Sequence, residues 1–142
     1  MIESERIDAF ISTARSMIGA QWRHRGRKPW AVDCIGLVIL SLESVGFEVK
    51  DKKDYSRYPW NDGLQAALKE HFGDPVSDIK NGDVILMQFE NADGPCHVGI
   101  AADYIHGGTS IIHAYSKQAV IEHRYDEYWK SLTVEVYRPW RK

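Results

Sequence analysis

The stretch "AVDCIGLVIL", residues 31–40, sets an acid and a thiol directly before a run of bulky apolar side chains. Residues 34–45 are apolar nearly all round and are followed by Gly46, a pattern that predicts a buried helix ending at the glycine. Cys34 then stands at the start of that helix. Unpaired backbone N–H groups and the positive end of the helix dipole favour thiolate over thiol there. An isolated Cys in an apolar stretch is by default a small core residue. Its place at a helix start weighs against that reading and sets metal binding and nucleophilic attack beside it.

Outward from this segment the chain divides into helices first and strands second. Upstream, Ile7, Phe10, Ile11, Ala14, Met17 and Ile18 recur at helical spacing, with Ser4 placed to cap the start and Gly19 to stop the helix. Downstream, "FEVKDKKDYSRYPW" (47–60) reads as a surface excursion, and a short helix is predicted from Asn61 to Phe72, ended by Gly73. Then come "GDVILMQF", "HVGIAADY", "SIIHAY", "AVIEHR" and "LTVEVYRPW", short β-prone runs punctuated by Gly, Asn and Asp. They predict an antiparallel meander and an α+β fold. No repeat, low-complexity tract or linker interrupts the chain, so residues 1–142 are expected to form a single domain.

The global numbers agree with a core built without disulfides: 142 residues, 44% hydrophobic and 27% charged. A net charge of -2 argues against a general nucleic-acid binder, and no nucleic-acid partner is expected. "MIESERIDAF" carries acids where a secretory signal has a basic segment, so the expectation is a chain made in the cytoplasm without a signal peptide. Nothing approaches the roughly 20 consecutive apolar residues of a membrane span, and no membrane insertion is expected. Cys34 and Cys96 are too few for a disulfide framework and read as free thiols.

A nucleophilic Cys needs a base that takes its proton and returns it to the leaving group, which makes histidine the natural partner. Of six histidines, His24 and His71 read as solvent-exposed, His106 as part of a hairpin turn, and His123, among charged neighbours, as facing solvent. His97 and His113 differ, each lying on a short apolar strand. Alternation puts His97, Gly99 and Ala101 on one face, leaving space beside the imidazole. His113 shares a face with Ile111 and Tyr115, from which it is placed to hydrogen-bond His97 and fix its tautomer. Zinc is the chemical rival, with Cys34, Cys96, His97 and His113 as a four-ligand set. Adjacent strand residues point to opposite faces, however, so Cys96 and His97 do not easily converge, and no metal or cofactor is expected. The basic run "RHRGRK" (23–28) is a solvated loop, a groove for carboxylate-bearing peptides or a hold on an acidic neighbour in an assembly. Trp30, Trp60, Trp129 and Trp140 read by default as core or rim packing, with a binding surface formed by those in loops as the alternative.

The order "DCIGL", "GDVILMQF" leading to "HVGI", then "IIHAY" resembles the NlpC family of cell-wall cysteine peptidases. The resemblance spans nearly the whole chain and implies a papain-like fold, with the catalytic Cys at a helix start packed on an antiparallel sheet. It implies Cys34 as nucleophile, His97 as base and His113 as the group that orients the base. Ile35 replaces the Ser that usually follows the nucleophile, and Trp22 stands where Tyr is common. In relatives that Ser, the preceding acid and the upstream aromatic help to recognise the stem peptide or order the site, which implies substrate-binding roles for Asp33 and Trp22. "GAQWRHRGRKPWAVDC", "YSRYPWNDG" and "IIHAY" followed by "VIEHR" are similar to the small peptidases encoded with phage tails and gene-transfer agents. That likeness implies an endopeptidase cutting amide bonds of peptidoglycan stem peptides at a phage-like virion tail tip, docked on other tail-tip proteins and acting in the bacterial cell wall or periplasm. The alternatives are a structural tail-tip component with an idle site, and a thiol acyltransferase or amidase on the same fold.

Overall fold

In the computed structural model, which describes residues 2–57 and 63–140, the apolar spacing of the first segment becomes α1 (Glu3–Ser16), burying Phe10, Ile11 and Ala14. Ser4 lies inside the first turn instead of capping it, because the helix starts two residues earlier, with Ile2 as its N-cap, and the Ile2 N–H donates to Glu5 Oε1 at 3.4 Å. The buried helix is α2 (Cys34–Glu43), shorter at its end than predicted, with Ser44 as its C-cap and Gly46 beyond it at φ 80°. The short helix is α3 (Leu64–Phe72), closed by Gly73. Trp60 and the expected helix start at Asn61 lie outside the described residues, as does part of "YSRYPWNDG".

Between α1 and α2 the chain forms three two-residue strands, β1 (Gln21–Trp22), β2 (Arg27–Lys28) and β3 (Ala31–Val32), in the spatial order β1-β3-β2. Runs this short carry no periodicity, and the sequence did not announce them. They press the Gly26 carbonyl so close to Gly36 that a Cβ on Gly36 would collide with it. This miniature sheet thus packs directly on the first turn of α2.

The five predicted strands all form: β4 (Val84–Met87), β5 (His97–Asp103), β6 (Thr109–Ala114), β7 (Val120–Arg124) and β8 (Thr133–Tyr137). Their order is β7-β6-β5-β4-β8, antiparallel throughout. The meander therefore holds for β4 to β7, whereas β8 returns through α4 (Glu127–Ser131) to pair with β4. Val84, Leu86, Val98, Ile100 and Ile112 pack with α1 and α2 in the main core. Ile85, Met87, Ala101 and Ile111 form a second cluster with Tyr125 and Leu132, with Trp129 packed against it. Strand alternation assigns these two sets to opposite faces, so both faces of the sheet are covered. Trp140 is buried against Phe10 at 5.0 Å between ring centroids and donates its indole N–H to the Gly82 carbonyl at 2.9 Å. Among the described residues no helix is long and apolar enough to cross a membrane.

Candidate active site

The start of α2 and the start of β5 open on one cavity of about 570 Å³. Cys34 and His97, the first residues of those elements, both line it, together with Asp33, Trp22, Phe89 and Tyr115. Cys34 is buried. Burial, and next the charge of Asp33, push its thiol up to about 12, against the opposing pull of backbone N–H groups at Val98 and Ile35. Removal from water thus opposes the thiolate that the N–H groups of the helix start favour. His97 is 4% exposed, and burial lowers its imidazole to about 3. Burial thus favours the neutral form of both groups.

Behind His97 runs a chain of imidazoles. His97 Nε2 lies 2.7 Å from His113 Nδ1, and His113 Nε2 lies 2.8 Å from His123 Nε2. The chain ends where His123 Nδ1 donates to the Arg124 carbonyl at 2.9 Å. Neighbouring strands β5, β6 and β7 each supply one ring. Gly99 makes the space: a Cβ there would come within 2.7 Å of Ile111 Cδ1 and 3.2 Å of His113 Cβ. His113 is fully buried, and burial, then His97 and His123, lower it to about 2. Phe89 lies 4.9 Å from the His97 ring, and Trp129 from α4 lies 4.9 Å from His113 and 5.0 Å from His123.

His123 is thus half-buried in this chain and does not simply face solvent as the sequence suggested. Its charged neighbours Glu122 and Arg124 misled that reading. The overlooked signal was alternation, because Ile121, His123 and Tyr125 follow a two-residue period and Tyr125 belongs to the second core.

Asp33 caps α2 and is almost wholly buried, with both oxygens engaged. Oδ1 accepts from the Gly36 N–H at 2.8 Å and from Arg27 Nη1 at 3.2 Å, while Oδ2 accepts from the Arg25 N–H at 2.8 Å and from the Tyr55 hydroxyl. Arg27 also grips Asp51, and Arg25 Nε donates to the Tyr55 carbonyl at 2.8 Å. Two cations of the basic run are therefore tied into the fold beside α2. Trp22 sits half-buried on the cavity wall, stacked on His24 and covered by the Arg57 guanidinium 5.3 Å above its ring. Cys96 lines the same cavity as a free thiol that burial pushes up. Among the described residues no three His, Cys, Asp or Glu side chains are grouped to hold a metal ion.

Residues 19–138 match the NlpC/P60 family. The fold is shared with a lipoprotein-like NLP/P60 protein from Staphylococcus aureus, at TM-score 0.70 and 16% identity, covering 97% of this chain and 42% of that one. It is shared also with the NlpC/p60 domain of the peptidoglycan hydrolase SagA, at TM-score 0.62 and 22% identity, covering 93% of this chain and 97% of that domain. The chain thus spans less than half the length of the staphylococcal protein.

Proposed function

Because the chain belongs to the NlpC/P60 family, we propose that it is a cysteine endopeptidase that hydrolyses an amide bond in the stem peptides of peptidoglycan. The observation that carries this reading is the shared cavity of Cys34 and His97, with His113 hydrogen-bonded behind the imidazole. In the proposed reaction Cys34 Sγ attacks the amide carbonyl as its proton passes to His97. Transfer in step with attack suits a thiol and an imidazole whose burial favours their neutral forms. The Cys34 N–H, first in α2, has no acceptor within its own helix and serves the oxyanion, while Asp33 engages the Gly36 N–H. His97 then gives its proton to the leaving amine and activates the water that opens the thioester. His113 orients His97. Asp33 acts by holding the head of α2 in place, and Trp22 offers an aromatic wall to substrate.

The setting we propose is the tail tip of a phage-like particle, docked on other tail-tip proteins and delivered to the cell wall from outside. It rests on the likeness of "GAQWRHRGRKPWAVDC" to tail-encoded peptidases. The test incubates purified protein with intact sacculi and with defined muropeptides, using Cys34→Ala as control. The expected result is new amino termini within the stem peptide that vanish in the variant. Released sugars with uncut peptides, or undiminished cleavage by Cys34→Ala, would overturn the chemistry. Cleavage by the isolated protein but none by assembled particles would overturn the setting.

A further inference from the structure

A base in this site must present a bare nitrogen to the thiol, and the far end of the imidazole chain determines which nitrogen that is. The Arg124 carbonyl can only accept, so His123 Nδ1 carries the hydrogen of its 2.9 Å bond. With its other nitrogen carrying no hydrogen, His123 has a bare Nε2, which takes the hydrogen of His113 Nε2 across 2.8 Å. His113 is left with a bare Nδ1, which takes the hydrogen of His97 Nε2 across 2.7 Å. His97 is left with a bare Nδ1. One carbonyl therefore sets three tautomers in series.

We propose that His123 is a positioning residue of the reaction, fixing through His113 the tautomer in which His97 Nδ1 is the free base. The proposal rests on the reading of Cys34 and His97 as nucleophile and base. Reversing the His97 or the His113 ring would set two hydrogens or two lone pairs against each other beneath Phe89 and Trp129, where both rings are buried. In the step itself the Sγ–H bond breaks and its proton goes to His97 Nδ1. The sulfur electron pair forms the S–C bond, and the carbonyl π pair moves to oxygen. His97 Nε2 keeps its hydrogen and donates it to His113 Nδ1, so the chain supports the imidazolium without carrying a proton away.

Two variants and one spectroscopic measurement test this. His123→Leu removes the acceptor for His113, whereas His123→Gln restores one through its side-chain carbonyl. His123→Leu is expected to lower kcat by about 10-fold with KM unchanged, and His123→Gln to recover most of it. Imidazole nitrogen NMR of the unaltered protein is expected to show Nε2–H at His97 and His113 and Nδ1–H at His123, with a mixture at His97 in His123→Leu. An Nδ1–H tautomer at His97 in the unaltered protein overturns the proposal, as does full kcat in His123→Leu. If that variant does not fold, the spectrum of the unaltered protein and the kcat of His123→Gln decide. If the unaltered protein cuts no stem peptide, the hydrolase reading falls, while the tautomers still decide this inference.

Discussion

Asp33 illustrates how one buried carboxylate can hold a site without touching what binds there. Its oxygens take two backbone N–H groups, the Tyr55 hydroxyl and the Arg27 guanidinium, and the Arg27 pair is part-buried, with side-chain exposures of 11% and 5%. Asp33→Ala would uncap the head of α2 and remove the acceptor of the Gly36 and Arg25 N–H groups, while Arg27 keeps Asp51. We expect it to destabilise the fold by about 1–3 kcal/mol, a loss that urea unfolding would register as a lower midpoint. An unchanged midpoint with a raised KM would return Asp33 to the role of a substrate contact. The same competition between burial and charge operates at Cys34, where desolvation outweighs the N–H groups beside the sulfur.

The element on which the site depends is the first turn of α2. Gly36 is a helical glycine, and replacing such a residue by alanine ordinarily stabilises a helix by about 0.5–1 kcal/mol. Here the added Cβ would strike the Gly26 carbonyl and stand 3.0 Å from Arg27 Nη1 and 3.3 Å from Asp33 Oδ1. Relief requires α2 to move away from the miniature sheet, carrying Cys34 with it. Gly36→Ala should therefore lower stability by about 1–3 kcal/mol and also reduce kcat. Calorimetry checks this, and a melting temperature equal to or above that of the unaltered protein would refute the packing argument. On β5, Gly99 plays the complementary part by leaving room for His113.

Across the molecule, the sheet is covered on both faces, and the imidazoles of His97 and His113 are buried. His97 and His113 take up protons near pH 6.5 once unfolded, but only near 3 and 2 when folded. Between those limits the unfolded chain binds more protons, so stability rises with pH in that window. Their contribution is fully present above about pH 6.5 and is lost progressively as the pH falls toward 3. Urea unfolding at a series of pH values should show this decline, and His113→Phe should flatten it. A decline of the same slope in that variant would place its origin elsewhere.

The sequence by itself determined α1, α2, α3 and the five main strands, because apolar periodicity and terminating glycines are local properties. It also set a thiol at a helix start and placed His97 and His113 on β-strands. Pairing decisions were not legible. That β8 joins β4, and that three two-residue strands cap α2, depend on which distant segments meet. Nor did the sequence reveal the four partners of Asp33, which converge from Arg25, Arg27, Gly36 and Tyr55, or the place of His123 at the end of the imidazole chain. Only the tertiary structure decided the protonation of the site as well, because the charge on a thiol or an imidazole follows from how completely the folded chain removes it from water.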